Sequence, residues 1–353
     1  MSKKISFLFE PCSTGKIFLI HQSFNLDQLL YLNLLHNELF QPLLKYPERL
    51  REMVDKQPHC QLIIIDELQR IPALLNEVHA MIKSQNKTFL LTGSSARNLR
   101  KQGTNLLAAR AWEAHLFPLT WHELIQPDLS HYLRYGGLPN VVLCDEPDEA
   151  LHSYVHTYLK EEIQAESFVR KLVSFSNFLE VAAMTSGQLL NFAKLSSDTG
   201  VPASTIKYYY QMLEDTFIGF MVPGWTKTQK RKATVKSKFY FFDLGVKNTL
   251  AGITHLDPKS DLFGQAFEHF IALELRAYLS YKRQRKTLCY LRSSQGKEVD
   301  FIIADQLAIS IKTTNQIQAK HLKNLNLLKE EKLCQRYICV SFDPILRQCT
   351  SSY

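Results

Sequence analysis

The run Leu62-Ile-Ile-Ile-Asp-Glu67 places four apolar residues directly before two adjacent carboxylates. Such a run fits a buried parallel strand that delivers acid groups at its C-terminal edge, where ligands bind in open α/β sheets. Near the start of the chain, Ser13-Thr-Gly-Lys16 follows a first apolar run, Ile5–Phe9. A Gly-Lys pair there is what a phosphate-cradling loop supplies. Together the two segments describe a nucleotide site, with Lys16 on phosphate, Asp66 on Mg2+ and Glu67 positioning water. Each alone has a plainer reading: a loop that happens to hold Gly-Lys, and a strand end that caps the next helix.

A phosphate loop of the form GxxxxGK[ST] uses small residues so that successive backbone N–H groups wrap the phosphates. Its lysine neutralises charge and its hydroxyl ligates Mg2+. In register with Gly15-Lys16, Glu10 stands at the first glycine and Ile17 at the hydroxyl position. Glu10 brings a Cβ and a negative charge toward polyphosphate, and Ile17 offers Mg2+ nothing. Another strand candidate, 88–92, runs into Gly93-Ser-Ser95, which sets Ser94 or Ser95 beside a γ-phosphate or forms a polar turn. Arg97, Arg100 and Arg110 follow, as donors to phosphoryl charge or as surface residues.

The elements around these residues alternate. Strands are expected at Ile5–Phe9, 62–65, 88–92 and 114–116, with helices over 25–35, 40–56 and 71–84. That order argues a parallel sheet flanked by helices. A helical pattern then runs from 129 to 187, broken by Tyr135-Gly-Gly-Leu-Pro139. Residues 191–213 read as helix, turn at Gly200 and helix from Ser204, the spacing of a helix-turn-helix, with 217–222 as the first strand of a wing. The stretch 225–238 carries Lys227, Lys230, Arg231, Lys232, Lys236 and Lys238 and reads as an exposed basic loop. Beyond it come two helices around 263–281, strands at Leu288–Arg292, 299–303 and 308–311, a helix at 318–331 and a strand at 336–340.

With 353 residues, the chain exceeds one typical core, so two or three domains are expected. Its 45% hydrophobic and 22% charged residues are ordinary for a soluble globular protein. No apolar run reaches the roughly 20 residues needed to cross a bilayer. The short apolar stretch before Glu10 does not make a signal peptide, so a cytoplasmic location away from membranes is expected. Seven cysteines without CxxC spacing support neither a zinc site nor a disulfide framework. A net charge of +8 permits nucleic-acid contact without requiring it.

Several linked motifs carry a resemblance. In order, Asp66-Glu-Leu-Gln-Arg-Ile-Pro72, Leu91-Thr-Gly-Ser-Ser-Ala-Arg97, Asn105-Leu-Leu-Ala-Ala-Arg110 and Leu116-Phe-Pro-Leu-Thr120 closely resemble prokaryotic AAA-like P-loop ATPases. The second half resembles their C-terminal partner domain. Its markers are Tyr135-Gly-Gly-Leu-Pro139, Tyr158-Leu-Lys-Glu-Glu-Ile163, Phe239-Tyr-Phe-Phe-Asp-Leu-Gly245, Phe263-Gly-Gln-Ala-Phe-Glu-His-Phe270 and Gly296-Lys-Glu-Val-Asp-Phe301. The resemblance implies an α/β protein with a P-loop NTPase parallel sheet over 1–125, a helical connector over 126–187, a winged helix over 188–228 and a restriction-endonuclease-like α/β domain over 229–353. It implies ATP held by Ser13, Thr14, Gly15, Lys16, Ile17 and Ser94, and Mg2+ on Asp66. Hydrolysis would proceed through Glu67, with Arg97 or Arg110 supplied in trans by a multimer. Glu10 and Ile17 depart from the pattern, so turnover is expected to be weakened or lost. The chain begins only a few residues before its first strand, which leaves room for a preceding segment.

In the C-terminal part, Glu268 and Glu274 share a helix, Asp300 lies on a strand, and Ser310-Ile-Lys312 occupies the next. The resemblance implies a nuclease-like remnant, in which carboxylates bind Mg2+ and a lysine assists. Ser310 stands where the second acid belongs, so nuclease activity is not expected. A plainer reading pairs Asp300 with Lys312 as an internal ion pair. The helix-turn-helix is similarly open. Ser204, Thr205, Lys207 and Tyr208 suit DNA contact, with the basic loop adding phosphate contacts. Half-buried Tyr208–Tyr210 suit a packing module instead. The leading expectation is an ATP-binding AAA-like protein with attenuated hydrolysis, acting with a protein partner or as a homo-oligomer. The rivals are a non-catalytic scaffold and a DNA-binding winged-helix factor.

Overall fold

A computed structural model describes residues 5–85, 87–95, 111–159, 172–226, 236–293 and 296–346. They fall into two compact units, one of 1–124, 137–171 and 207–219, the other of 125–136, 172–206 and 220–353.

The first unit is built on strands β1 (Ile5–Phe9), β2 (Leu29–Asn33), β3 (Leu62–Asp66), β4 (Thr88–Gly93) and β5 (Ala111–His115). Helices α1 (Lys16–Ser23), α2 (Asn37–Lys45), α3 (Arg49–Asp55) and α4 (Leu74–Ser84) connect them. The strands lie in the order β2-β3-β4-β1-β5, every neighbouring pair parallel. This parallel α/β sheet is compatible with a P-loop NTPase fold. The unbroken apolar run of β3 follows from burial on both faces. Ile63 and Ile65 pack with Phe7, Leu74, Val78 and Phe89 on one side, while Ile64 packs with Ile20 and Leu29 on the other. Because the strands are parallel and in register, Phe9 sits beside Gly93 and Ile65 beside Leu91. The residues that follow β1, β3 and β4 therefore leave at one rim.

Three expectations for this unit need correction. Residues 25–35 are not a helix; a single turn of 3-10 helix leads into β2, which pairs with β3 from Leu29↔Leu62 to Asn33↔Asp66. Leu29, Leu32 and Leu34 of the segment that mimics a helical face are buried in the sheet, an override of local propensity by tertiary context. The helix over 40–56 is two, separated at Tyr46-Pro47, where proline restricts the preceding residue. The fourth strand is Ala111–His115 rather than 114–116.

In the second unit, α5 (Leu129–Tyr135), α6 (Leu172–Met184) and α7 (Phe192–Thr199) precede α8 (Ala203–Asp215), within which the unit boundary falls. Gly200 closes α7 with a left-handed φ of 68°, and Tyr209 and Tyr210 are buried while Tyr208 is exposed. Strands β6 (Gly219–Val222) and β7 (Lys238–Phe241) form a two-stranded sheet. Helices α9 (Leu244–Leu250) and α10 (Asp261–Tyr281) follow, then β8 (Leu288–Arg292), β9 (Glu298–Ile303), β10 (Leu307–Lys312), α11 (Ala319–Glu330) and β11 (Arg336–Ser341). The last four strands make a mixed sheet, β11-β10-β9-β8, parallel only between β10 and β11.

Here too the sequence reading is corrected. The two helices expected around 263–281 are one continuous helix, α10, started by the Ser260 side chain accepting from the Phe263 N–H. Most of the basic stretch, 227–235, lies outside the described residues, but Lys238 is no loop residue. It is buried in β7. Two resemblance motifs meet physically: Gly136, at φ 75°, lies against Asp243, so a Cβ there would come within 2.3 Å of the Asp243 carboxylate. Asp243 caps α9 by accepting from the Val246 N–H at 2.9 Å. The glycine is what lets that cap sit beside the end of α5.

Lys247 of α9 is buried, and among the described residues its amine has a hydrogen bond to the Asn248 side chain, at 3.4 Å, and no ion pair. Burial drops it from the ordinary 10.5 to about 8. Below pH 8 it is charged in both states and its desolvation costs stability; between pH 8 and 10.5 the folded protein has shed the proton and the unfolded chain has not, so the cost fades. Lys247→Met should therefore be more stable than wild type at pH 7 by about 3 kcal/mol. That gap should close as pH rises to 10.5 in urea titrations; a gap independent of pH would contradict it.

Candidate nucleotide site

The rim of the first sheet gathers a lysine and three acids. After β1, Glu10 opens a tight loop in which Ser13 and Gly15 both take positive φ, 67° and 99°. The loop runs directly into α1, whose first residue is Lys16. Its first-turn N–H groups have no carbonyl partner within the helix, as an anion cradle requires. The Cys12 carbonyl accepts from the Tyr154 hydroxyl at 3.2 Å, which ties the loop down.

Lys16 is only 6% exposed, and its Nζ lies 2.7 Å from an Asp66 oxygen, 2.7 Å from a Glu67 oxygen and 3.3 Å from Glu10. Asp66 ends β3 and also accepts from the Tyr31 hydroxyl at 2.6 Å and from the Thr92 hydroxyl. Glu67 follows with a left-handed φ of 60°, an uncommon conformation for a residue with a Cβ. Its carboxylate does not cap the next turn. It accepts from Gln69, which also donates to Ser94 at 3.0 Å; the Ser94 hydroxyl lies 3.3 Å from Glu67. Glu10 accepts from the Thr14 hydroxyl.

Burial alone would lower the Lys16 amine, but the charges of Glu67, Glu10 and Asp66 outweigh it and hold the amine above its ordinary range. For Asp66, burial pushes up, and the Lys16 charge with hydrogen bonds from Lys16, Thr92 and Tyr31 brings it below the usual carboxylate range. Burial wins at Glu10, which is raised despite Lys16 and Thr14. Tyr31 is also raised, by burial and then by its bond to Asp66.

Of the residues expected in the site, Thr14, Gly15, Lys16, Asp66, Glu67 and Ser94 lie at this rim, with Ser13 in the loop. Ile17 is 47% exposed and brings no oxygen. Arg97 and Arg110 lie outside the described residues. Sequence reasoning missed Tyr31, hidden in the segment read as a helix, and Thr92 and Gln69. It read Glu10 only as a defect, whereas Glu10 is a partner of Lys16. The side chains fit a phosphate-bearing ligand with Mg2+ in part: the lysine, the loop and Asp66 suit it, while Glu10 places a carboxylate on the amine that phosphate would use.

The second set of expected residues is dispersed differently. Glu268 and Glu274 are half-buried on α10. Asp300 is buried and pushed up to about 6 by burial and the nearby Glu268 charge. The expected Asp300–Lys312 ion pair is not formed; Asp300 accepts instead from the Ser310 hydroxyl and the Ile311 N–H, 3.1 and 2.6 Å away.

Residues 2–125 match the family described as AAA domain, and 126–257 and 263–343 match two domains of unknown function, DUF8612 and DUF4143. An uncharacterized protein of Haemophilus influenzae is 25% identical over 81% of this chain and 74% of its own length. Another, from Methanocaldococcus jannaschii, is 20% identical over 85% of this chain and 72% of its own. The chain thus carries an AAA-type domain, a class that binds nucleotide, ordinarily with Mg2+, followed by a C-terminal domain. Among the described residues no helix is long and apolar enough to cross a membrane.

Removing the shared cation should be costly. Lys16→Met strands three buried acids, a loss of about 3–5 kcal/mol at pH 8. Part of it should return below pH 5, as the folded state takes up protons that the unfolded chain does not hold. Urea unfolding across pH checks this; equal stability of the two proteins at pH 8 would refute it.

Proposed function

We infer that this is an ATP-binding AAA-like protein whose hydrolysis is attenuated. The observation that supports it most is the convergence of the Lys16 amine, Asp66 and Glu67 within 2.7 Å at one rim of a parallel sheet. On this reading the loop Ser13–Ile17 and Ser94 hold the phosphates, Lys16 sits on their negative charge, and Asp66 holds Mg2+. Bound Mg2+ would supply charge neutralisation at the phosphates. Glu67 orients a water, and Arg97 or Arg110 of a neighbouring copy completes the site in a homo-oligomer. Attenuation follows from Glu10, which competes with phosphate for Lys16, and from Ile17, which withholds the hydroxyl that Mg2+ needs.

The C-terminal part is read as a winged helix and a restriction-endonuclease-like domain serving as a partner-binding module in the cytoplasm. A second reading, DNA contact through α8, draws on the exposure of Ser204, Lys207 and Tyr208. DNA binding of that kind would weaken steeply with salt.

Titration with labelled ATP, with and without Mg2+, tests the first reading. Wild type should bind in the micromolar to millimolar range and Lys16→Ala should weaken binding by about tenfold or more, roughly 1.4 kcal/mol. No saturable binding at millimolar ATP would leave the scaffold and the DNA-binding reading.

A further inference from the structure

The resemblance to restriction endonucleases implies a divalent cation between Glu268 and Asp300, and the residues of the second unit do not fit one. The position is already taken. Lys238, 3% exposed, sets its Nζ 2.9 Å from Glu268 and 2.7 Å from Glu298. The Tyr240 hydroxyl donates to the same Glu268 oxygen at 2.6 Å, and Arg292 lies 3.3 Å from the other oxygen of Glu298. Asp300 turns one oxygen to Ser310 and the Ile311 N–H. Ser310, where a second acid would ligate, is a donor in this arrangement. Among the described residues, no three His, Cys, Asp or Glu side chains are arranged to hold a metal.

Space is not what excludes an ion. A cavity of about 450 Å³, lined by Ser186, Gln188, Lys238, Gln265, Glu268 and Glu298, opens onto the cluster. Charge excludes it. An ammonium in contact with both carboxylates puts a positive charge where a divalent ion would sit, and like charges at contact distance in a buried site repel strongly. The amine does not step aside by losing its proton either: burial favours the neutral form, but the Glu268 and Glu298 charges outweigh it and hold the amine above its ordinary range.

We propose that Lys238 is the resident cation of the Glu268–Glu298 carboxylate pair and closes it to divalent ions. The pair is thereby fixed in an ion-pair hub tying β7, α10 and β9, and removing the lysine would leave two carboxylates open to a hydrated divalent ion. This stands independently of the nucleotide reading.

Iron-directed backbone cleavage tests it by location. Full-length wild type, Lys238→Met and Lys238→Gln are incubated with Fe2+, ascorbate and peroxide, and the cut positions are read by mass spectrometry. Wild type should be uncut around residues 268 and 298–300. Both variants should be cut there about tenfold more, the size of effect that losing or gaining a close partner has at a metal site. Adding Glu268→Gln to Lys238→Met should abolish the new cuts. Cutting of wild type at those segments would overturn the proposal, as would variants with native circular dichroism that are cut no more than wild type. Should the neutral variants lose native circular dichroism, Lys238→Arg carries the test: it keeps the charge and must leave these segments uncut, and cuts there would overturn the proposal.

Discussion

A single buried ammonium holds the rim of the first sheet together. Lys16 answers three carboxylates delivered by separate segments, Glu10 after β1 and Asp66 with Glu67 after β3. Removing two or three charges from water is expensive, and only close, well-hydrogen-bonded opposite charge offsets it. The surrounding donors fit that demand: Thr14 on Glu10, Tyr31 and Thr92 on Asp66, Gln69 on Glu67. These bonds fix strand order and loop shape as much as they fix chemistry, because each donor comes from a different strand or loop.

Glu10 changes what that site can do. A glycine at its position would leave Lys16 paired with Asp66 and Glu67 alone. The carboxylate adds a third partner, from the lysine's own loop, so a phosphate must displace one more ion pair. Burial already strains the ionised form of Glu10, as its raised pKa shows. The second unit solves a comparable problem in the same way, with Lys238 between Glu268 and Glu298. In both units a lysine stands where a more demanding ligand would otherwise be needed to neutralise buried acid.

Much of this was legible in the residues. The apolar run before Asp66-Glu67 can be a strand only if both faces are covered, and Ile63, Ile64 and Ile65 are fully buried. The C-terminal strands show the same clarity, since β8, β9 and β10 follow one another as short apolar runs and a helix precedes β11. What was hidden depended on partners remote in sequence. Residues 29–33 have leucines that suit a helix, and only pairing with β3 makes them a strand and brings Tyr31 to Asp66. Lys238 sits at the end of a lysine-rich stretch and looks solvated until α10 and β9 bring Glu268 and Glu298 to it. Composition cannot show a charge that is buried by residues far along the chain.

The competition between Glu10 and phosphate for Lys16 is tested most directly by equilibrium binding of ATP with Mg2+ to wild type and Glu10→Gln at one pH and salt concentration. Tighter binding by the glutamine protein is the expected result, since the amide keeps the shape and the Thr14 contact but no longer neutralises the lysine. Unchanged or weaker binding would contradict it, because the carboxylate would then be no rival to the nucleotide.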